Sequence, residues 1–83
     1  MNSYTTELTM SVCNLLASAL QVPADSVSAE LSFGDLPEWD SMGHMEVMMQ
    51  LEEHFGVEVS ADTIAALTSV PAICSYLKEN GHA

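Results

Sequence analysis

Positive charge is what this chain has least of. Lys78 is its single basic residue, set against twelve acidic ones, and the formal net charge is −11 over 83 residues. Such a surface repels phosphate backbones and anionic headgroups, which excludes nucleic-acid binding and attachment to anionic membranes, and it calls for basic partners. Cysteine is also scarce. Cys13 and Cys74 stand far apart, with no CxxC and no Cys/His ligand spacing, so neither a zinc site nor a redox pair is indicated and free thiols in a reducing compartment are expected. No apolar run approaches membrane-spanning length. The stretch from Val12 to Val22 contains Ala17-Ser18-Ala19, similar to a small-residue cleavage site, but the basic segment that opens a secretory signal is missing. A monomeric cytoplasmic protein is expected, without membrane insertion.

What is present is enough apolar material for one modest core. Hydrophobic residues make up 48% of the chain, sufficient for autonomous folding despite the charge, and residues 1–83 are read as a single domain. No internal repeat or low-complexity tract interrupts it.

Periodicity gives the organisation. Leu8, Val12, Leu15, Leu16, Ala19 and Leu20 recur at spacings of three and four, which predicts a first helix from about Ser3 to Leu20. Pro23, three serines between Ser26 and Ser32, Gly34 and Pro37 then argue against another long regular element before Trp39. The long loop this leaves is expected to be ordered, pinned to the bundle by Val22, Val27, Leu31, Phe33 and Leu36. A second helix should start at Asp40 or Ser41 and run to about Phe55, with Gly56 as its stop. Val57 and Val59 form an extended link, Ser60 or Asp62 can cap a short helix ending near Ala66, and Ser69 with Pro71 suits the start of a last one that carries Val70, Ile73, Cys74 and Leu77 on one face. The expected fold is all-α: a small helical bundle of three main helices plus one short helix, with a long ordered loop between helices 1 and 2.

The second helix carries two apolar stripes. At about 100° per residue, Val47, Met48, Leu51 and Phe55 fall on one side and Met42, Met45 and Met49 nearly opposite, with Glu46, Glu52 and Glu53 beside the methionines. The methionine side reads either as a second buried stripe beside a solvated acidic face, or as a docking face mixing adaptable apolar contacts with carboxylates. The pair Asp40-Ser41 at the helix start is equally open, because Ser and Asp there serve as N-caps.

The wider context carries a resemblance. The run Trp39-Asp40-Ser41-Met42-Gly43-His44-Met45-Glu46-Val47-Met48-Met49-Gln50-Leu51-Glu52-Glu53-His54-Phe55-Gly56-Val57, preceded by a helix and a long loop and followed by Leu67-Thr68-Ser69-Val70, resembles the acyl carrier protein family over nearly the whole chain. The resemblance implies that Ser41 takes a covalent 4′-phosphopantetheine from coenzyme A, with Asp40 matching the family's preceding aspartate and Met42 the leucine that follows. A phosphopantetheinyl transferase would install the arm, and acyl-loading and acyl-using enzymes with basic docking surfaces would then exchange acyl groups as thioesters on it. Met45, Glu46, Met49, Glu52 and Glu53 match the partner-recognition positions. The protein itself would hold no catalytic residues and no metal. An aminoacyl or hydroxyacyl carrier, and an unmodified acidic helical binding module, are the alternatives.

The run departs from the common pattern at Gly43, where many members carry an acidic residue, so that helix propensity and one recognition charge are both reduced. It looks more like specialised free-standing carriers than a housekeeping one. His44 adjoins the core stripe without a nucleophile and an orienting group to make it an acid or base, and reads as a packing or surface residue. His54 and His82 lack ligand companions and read as solvated. Trp39 reads as a loop anchor, and both cysteines as packing residues. A calcium loop counted from Asp35 to Glu46 fails, placing Pro37 and Trp39 where oxygen ligands belong.

Overall fold

The computed structural model describes residues 3–81, and side chains from residue 7 onward. Its elements are α1 (Ser3–Leu20), a single 3₁₀ turn (Ala24–Ser26), α2 (Ser41–Phe55), α3 (Ala61–Ala66) and α4 (Val70–Glu79), with no strand among the described residues. The all-α bundle expected from periodicity is therefore the observed one, and α1 packs against both α2 and α4. The 3₁₀ turn is a detail that periodicity misses, because three residues carry no helical period.

The starts of α2, α3 and α4 and the ends of α1 and α2 have local chemical causes. Asp40, Ser60 and Ser69 cap α2, α3 and α4, and at α3 Thr63 returns the favour in a reciprocal capping box. Pro71 falls in the first turn of α4, where a missing N–H costs nothing. Gly56 ends α2 in the left-handed region at φ 74°, its N–H reaching the carbonyls of Glu52 and Leu51. α1 closes on Gln21 at φ 58°, and the Val22 N–H returns to the Ala17 carbonyl at 3.0 Å.

All six periodic positions of α1 are buried, as are Val47, Met48 and Leu51 of α2 and Val70, Ile73 and Leu77 of α4. Cys13 and Cys74 are half-buried against this core, and Phe55 with them.

The long loop is ordered by backbone as much as by side chains. Val27 and Leu31 are buried and Val22 and Leu36 half-buried, as a pinned loop requires. Around the Ser32–Ser69 bridge, the Phe33 N–H donates to the Thr68 carbonyl at 2.8 Å and the Val70 N–H to the Leu31 carbonyl at 2.9 Å. The loop thus ties to the α3–α4 link. Phe33 corrects its expected role: its backbone pins the loop, but its ring stays 42% exposed. Trp39 is fully buried and anchors the loop's end directly before α2.

Candidate functional site

The start of α2 divides its labour between two adjacent residues. Asp40 is the N-cap, accepting the Gly43 N–H at its Oδ1 (2.8 Å), while its carbonyl accepts the His44 N–H at 2.8 Å. Ser41 is the first helical residue and is exposed. The reading of Ser41 as a cap is thereby overturned, because Asp40 already fills the position where a side chain can reach back to the N3 amide. The serine hydroxyl stands at the helix start, where the macrodipole and the first-turn amides favour an anion.

Gly43 also has a structural reason. A side chain there would run into the backbone carbonyl of Glu38 and approach Leu20 Cδ2 at 2.9 Å. Its cost in helix propensity is therefore the condition for seating the loop on the first turn of α2.

The two stripes of α2 separate cleanly. Val47, Met48 and Leu51 have no exposure, whereas Met42, Met45 and Met49 are 82%, 42% and 55% exposed. The second buried stripe does not exist. Glu46, Glu52 and Glu53 are exposed too, so the face running from Ser41 mixes thioethers with carboxylates. These carboxylates do not gather into a cation site: among the described residues no group of three or more His, Cys, Asp or Glu could hold a metal ion.

His44 is buried, at 4% exposure, and both its nitrogens are engaged. The Trp39 indole Nε1–H donates to Nδ1 at 3.1 Å, and Nε2 lies 2.7 Å from the Ile64 carbonyl oxygen. An indole N–H only donates and a carbonyl only accepts, so the two partners specify the neutral Nε2–H tautomer. The ring packs edge-on to Phe33, centroids 5.6 Å apart at 81°. His44 is thus a packing residue, with a hydrogen-bonding role that sequence reasoning did not supply. His54 is exposed beside Gln50, and His82 lies outside the described residues.

Beside Ser41 lies a groove of about 370 Å³, lined by Phe33, Ser41, His44, Met45, Ile64 and Thr68. Another depression, of about 390 Å³, sits between α1 and the C-terminal half of α2, with Gln50 and His54 among its lining and no residue of the Asp40–Ser41 start.

The two thiols are quiet. Burial pushes the Cys13 thiol pKa up, with Cys74 and Glu30 nearby adding to the rise. Burial likewise raises that of Cys74, against a hydrogen bond to Thr9 and the charge of Lys78. Both stay protonated at neutral pH, in keeping with packing rather than reactivity.

Comparison with known proteins places the whole chain. The family described as "Phosphopantetheine attachment site" matches residues 11–77. The chain is 35% identical over 72 residues to an acyl carrier protein of Bdellovibrio bacteriovorus, covering 87% of this chain and 92% of that one. It is 32% identical over 65 residues to acyl carrier protein 3 of Ralstonia nicotianae (78% and 75% covered), and 31% identical over 74 residues to an acyl carrier protein of Rubrobacter xylanophilus (89% and 91% covered). A helical bundle matched over this length to phosphopantetheine-attachment sequences defines a carrier domain. The chain belongs to the acyl carrier protein family.

Its cofactor is accordingly a covalently attached 4′-phosphopantetheine, which supplies the thiol that the protein's own half-buried cysteines do not. The residues present fit such a group: an exposed hydroxyl not spent on capping, a helix N-terminus for a phosphodiester, and an apolar groove at the same point. Among the described residues, no helix is long and apolar enough to cross a membrane.

Proposed function

We propose that Ser41 carries the 4′-phosphopantetheine arm, and that the protein holds acyl intermediates on it as thioesters and presents them to partner enzymes. A phosphopantetheinyl transferase installs the arm: the Ser41 oxygen forms a bond to the phosphorus bearing the pantetheine of coenzyme A, the pyrophosphate bond breaks, and the nucleotide leaves with its remaining phosphates. The observation that supports this best is the division of labour at α2, where Asp40 caps and leaves the exposed Ser41 available. A tethered thioester turns each docking event into delivery at high effective concentration, so the protein needs only to position and be recognised. Partners would read α2 through Met45, Glu46, Met49, Glu52 and Glu53, all exposed, with Asp40 and Met42 flanking the attachment point.

The test is an intact mass after incubation with coenzyme A, magnesium and a promiscuous phosphopantetheinyl transferase. Wild type should gain one phosphopantetheine and Ser41→Ala none. Wild type left unmodified by several active transferases, or a modified Ser41→Ala, would overturn the assignment.

A further inference from the structure

The groove beside Ser41 opens against a wall of unusual construction. His44 belongs to α2, yet its Nε2 holds the Ile64 carbonyl of α3, so the ring spans the seam between the two helices. Its other nitrogen holds the indole of Trp39, which is fully buried. Swinging the ring aside would strand the Trp39 N–H and the Ile64 carbonyl, in a protein whose described buried side-chain polar atoms all have partners. The remaining lining is soft or open by comparison: Met45 is flexible and 42% exposed, and the Phe33 ring is as exposed.

We propose, on the carrier reading of Ser41, that His44 is a specificity-determining residue that limits how far a tethered acyl group can enter this protein. Ser41 itself lines the groove, so an arm attached there can fold back and lay the first carbons of its acyl group against Phe33, Met45 and Ile64. Further advance toward the core between α2 and α3 meets the locked His44 ring. Short acyl groups are sheltered, whereas the distal methylenes of long ones remain outside.

The experiment loads Ser41 directly, by transferase action on acetyl-, butyryl-, hexanoyl- and octanoyl-coenzyme A. It follows hydroxylamine attack on each thioester, in which nitrogen bonds to the acyl carbon, the C–S bond breaks and the arm's thiol is released. Burying a methylene is favourable enough to change an equilibrium about fourfold, so protection that deepens with chain length is easily seen. In wild type the rates should level off after butyryl. In His44→Ala, octanoyl should react about tenfold more slowly than butyryl, because between one and two more methylenes now bury. Trp39→Phe, which releases Nδ1 but keeps a large ring, should give an intermediate slope. A purely structural role for His44 would lower stability without altering the dependence on chain length. Wild type in which protection deepens steadily to octanoyl would overturn the inference even if neither variant folds, as would folded variants that keep the wild-type plateau. A chain that accepts no arm at all fails earlier, at loading, and overturns the carrier reading instead.

Discussion

The backbone carbonyl of Glu38 occupies the space that a side chain on Gly43 would need. Glu38 stands immediately before the buried Trp39, so the loop approaches the first turn of α2 at van der Waals distance, with Leu20 of α1 closing the other side. Three helical and loop segments therefore meet at one glycine, at the site where the arm is proposed to attach.

This contact gives Gly43→Ala an unexpected sign. In an open helix position the change would stabilise by about 1 kcal/mol. Here the obstruction is backbone rather than the tip of a flexible side chain, and overpacking costs about 1–3 kcal/mol, so net destabilisation is expected. Gly43→Asp, which puts a larger and charged side chain against the Glu38 carbonyl, should do worse. Urea unfolding checks both; an alanine variant as stable as wild type would show that the loop yields freely.

Gly43 also marks the boundary of what the sequence revealed. Helix limits were legible because they depend on neighbours in the chain: Asp40, Ser60 and Ser69 cap, Gly56 stops, and apolar spacing gives the buried faces. The Asp40–Ser41 start was legible for the same reason. The clasp of Trp39, His44 and the Ile64 carbonyl was not, because a histidine five residues after a tryptophan has no local signature and its third member lies on another helix. Nor could helix phase alone decide whether the methionines were buried; that depended on whether any element packed over them, and none of the described residues brings their exposure down to that of the core.

The division between Asp40 and Ser41 can be separated by mutation. Asp40→Ala should cost about 1 kcal/mol, because it strands the Gly43 N–H at the helix start. Ser41→Ala should stay within about 0.5 kcal/mol of wild type while abolishing attachment, as expected of an exposed residue with no capping duty. Equal losses for the two would assign the cap to both.

Docking through α2 predicts a split between rate and lifetime. Glu46→Lys should slow association with a cognate enzyme about three- to tenfold, since an exposed charge acts mainly through steering, and raising salt should shrink the difference. Met45→Ala and Met49→Ala should instead speed dissociation by removing contact area. Stopped-flow binding distinguishes the two, and unchanged kinetics for all three variants with every natural partner would move the docking face elsewhere.

The half-buried thiols predict the alkaline limb of stability. Their pKa values are raised in the folded state, so the native protein retains protons that the unfolded chain releases. That contribution is complete below the ordinary thiol value of 9.0 and is lost as pH climbs through the raised values. Alkylation by iodoacetamide at neutral pH should likewise be slower in folded than in urea-unfolded protein. A double Cys13→Ser, Cys74→Ser variant should flatten the stability decline above pH 9.0; an unchanged slope would trace it to other groups.

Finally, the charge imbalance should make stability depend on ions. Twelve carboxylates oppose one lysine, and unfolding lets like charges separate, so repulsion works against the native state. Screening by sodium chloride should therefore raise the thermal midpoint of the apo protein at neutral pH. For a domain of this size, about 1 kcal/mol relieved corresponds to roughly 4–8 °C. Magnesium and calcium should act at lower concentration because each ion carries two charges. With no described cluster to chelate them, their effect should titrate gradually, without saturating at a stoichiometric site, and the two cations should be nearly equivalent. A sharp stoichiometric transition for one cation would reveal a site that the exposed face of α2 does not provide. A midpoint unmoved by any salt would mean that the carboxylates are already far enough apart for their repulsion to be negligible.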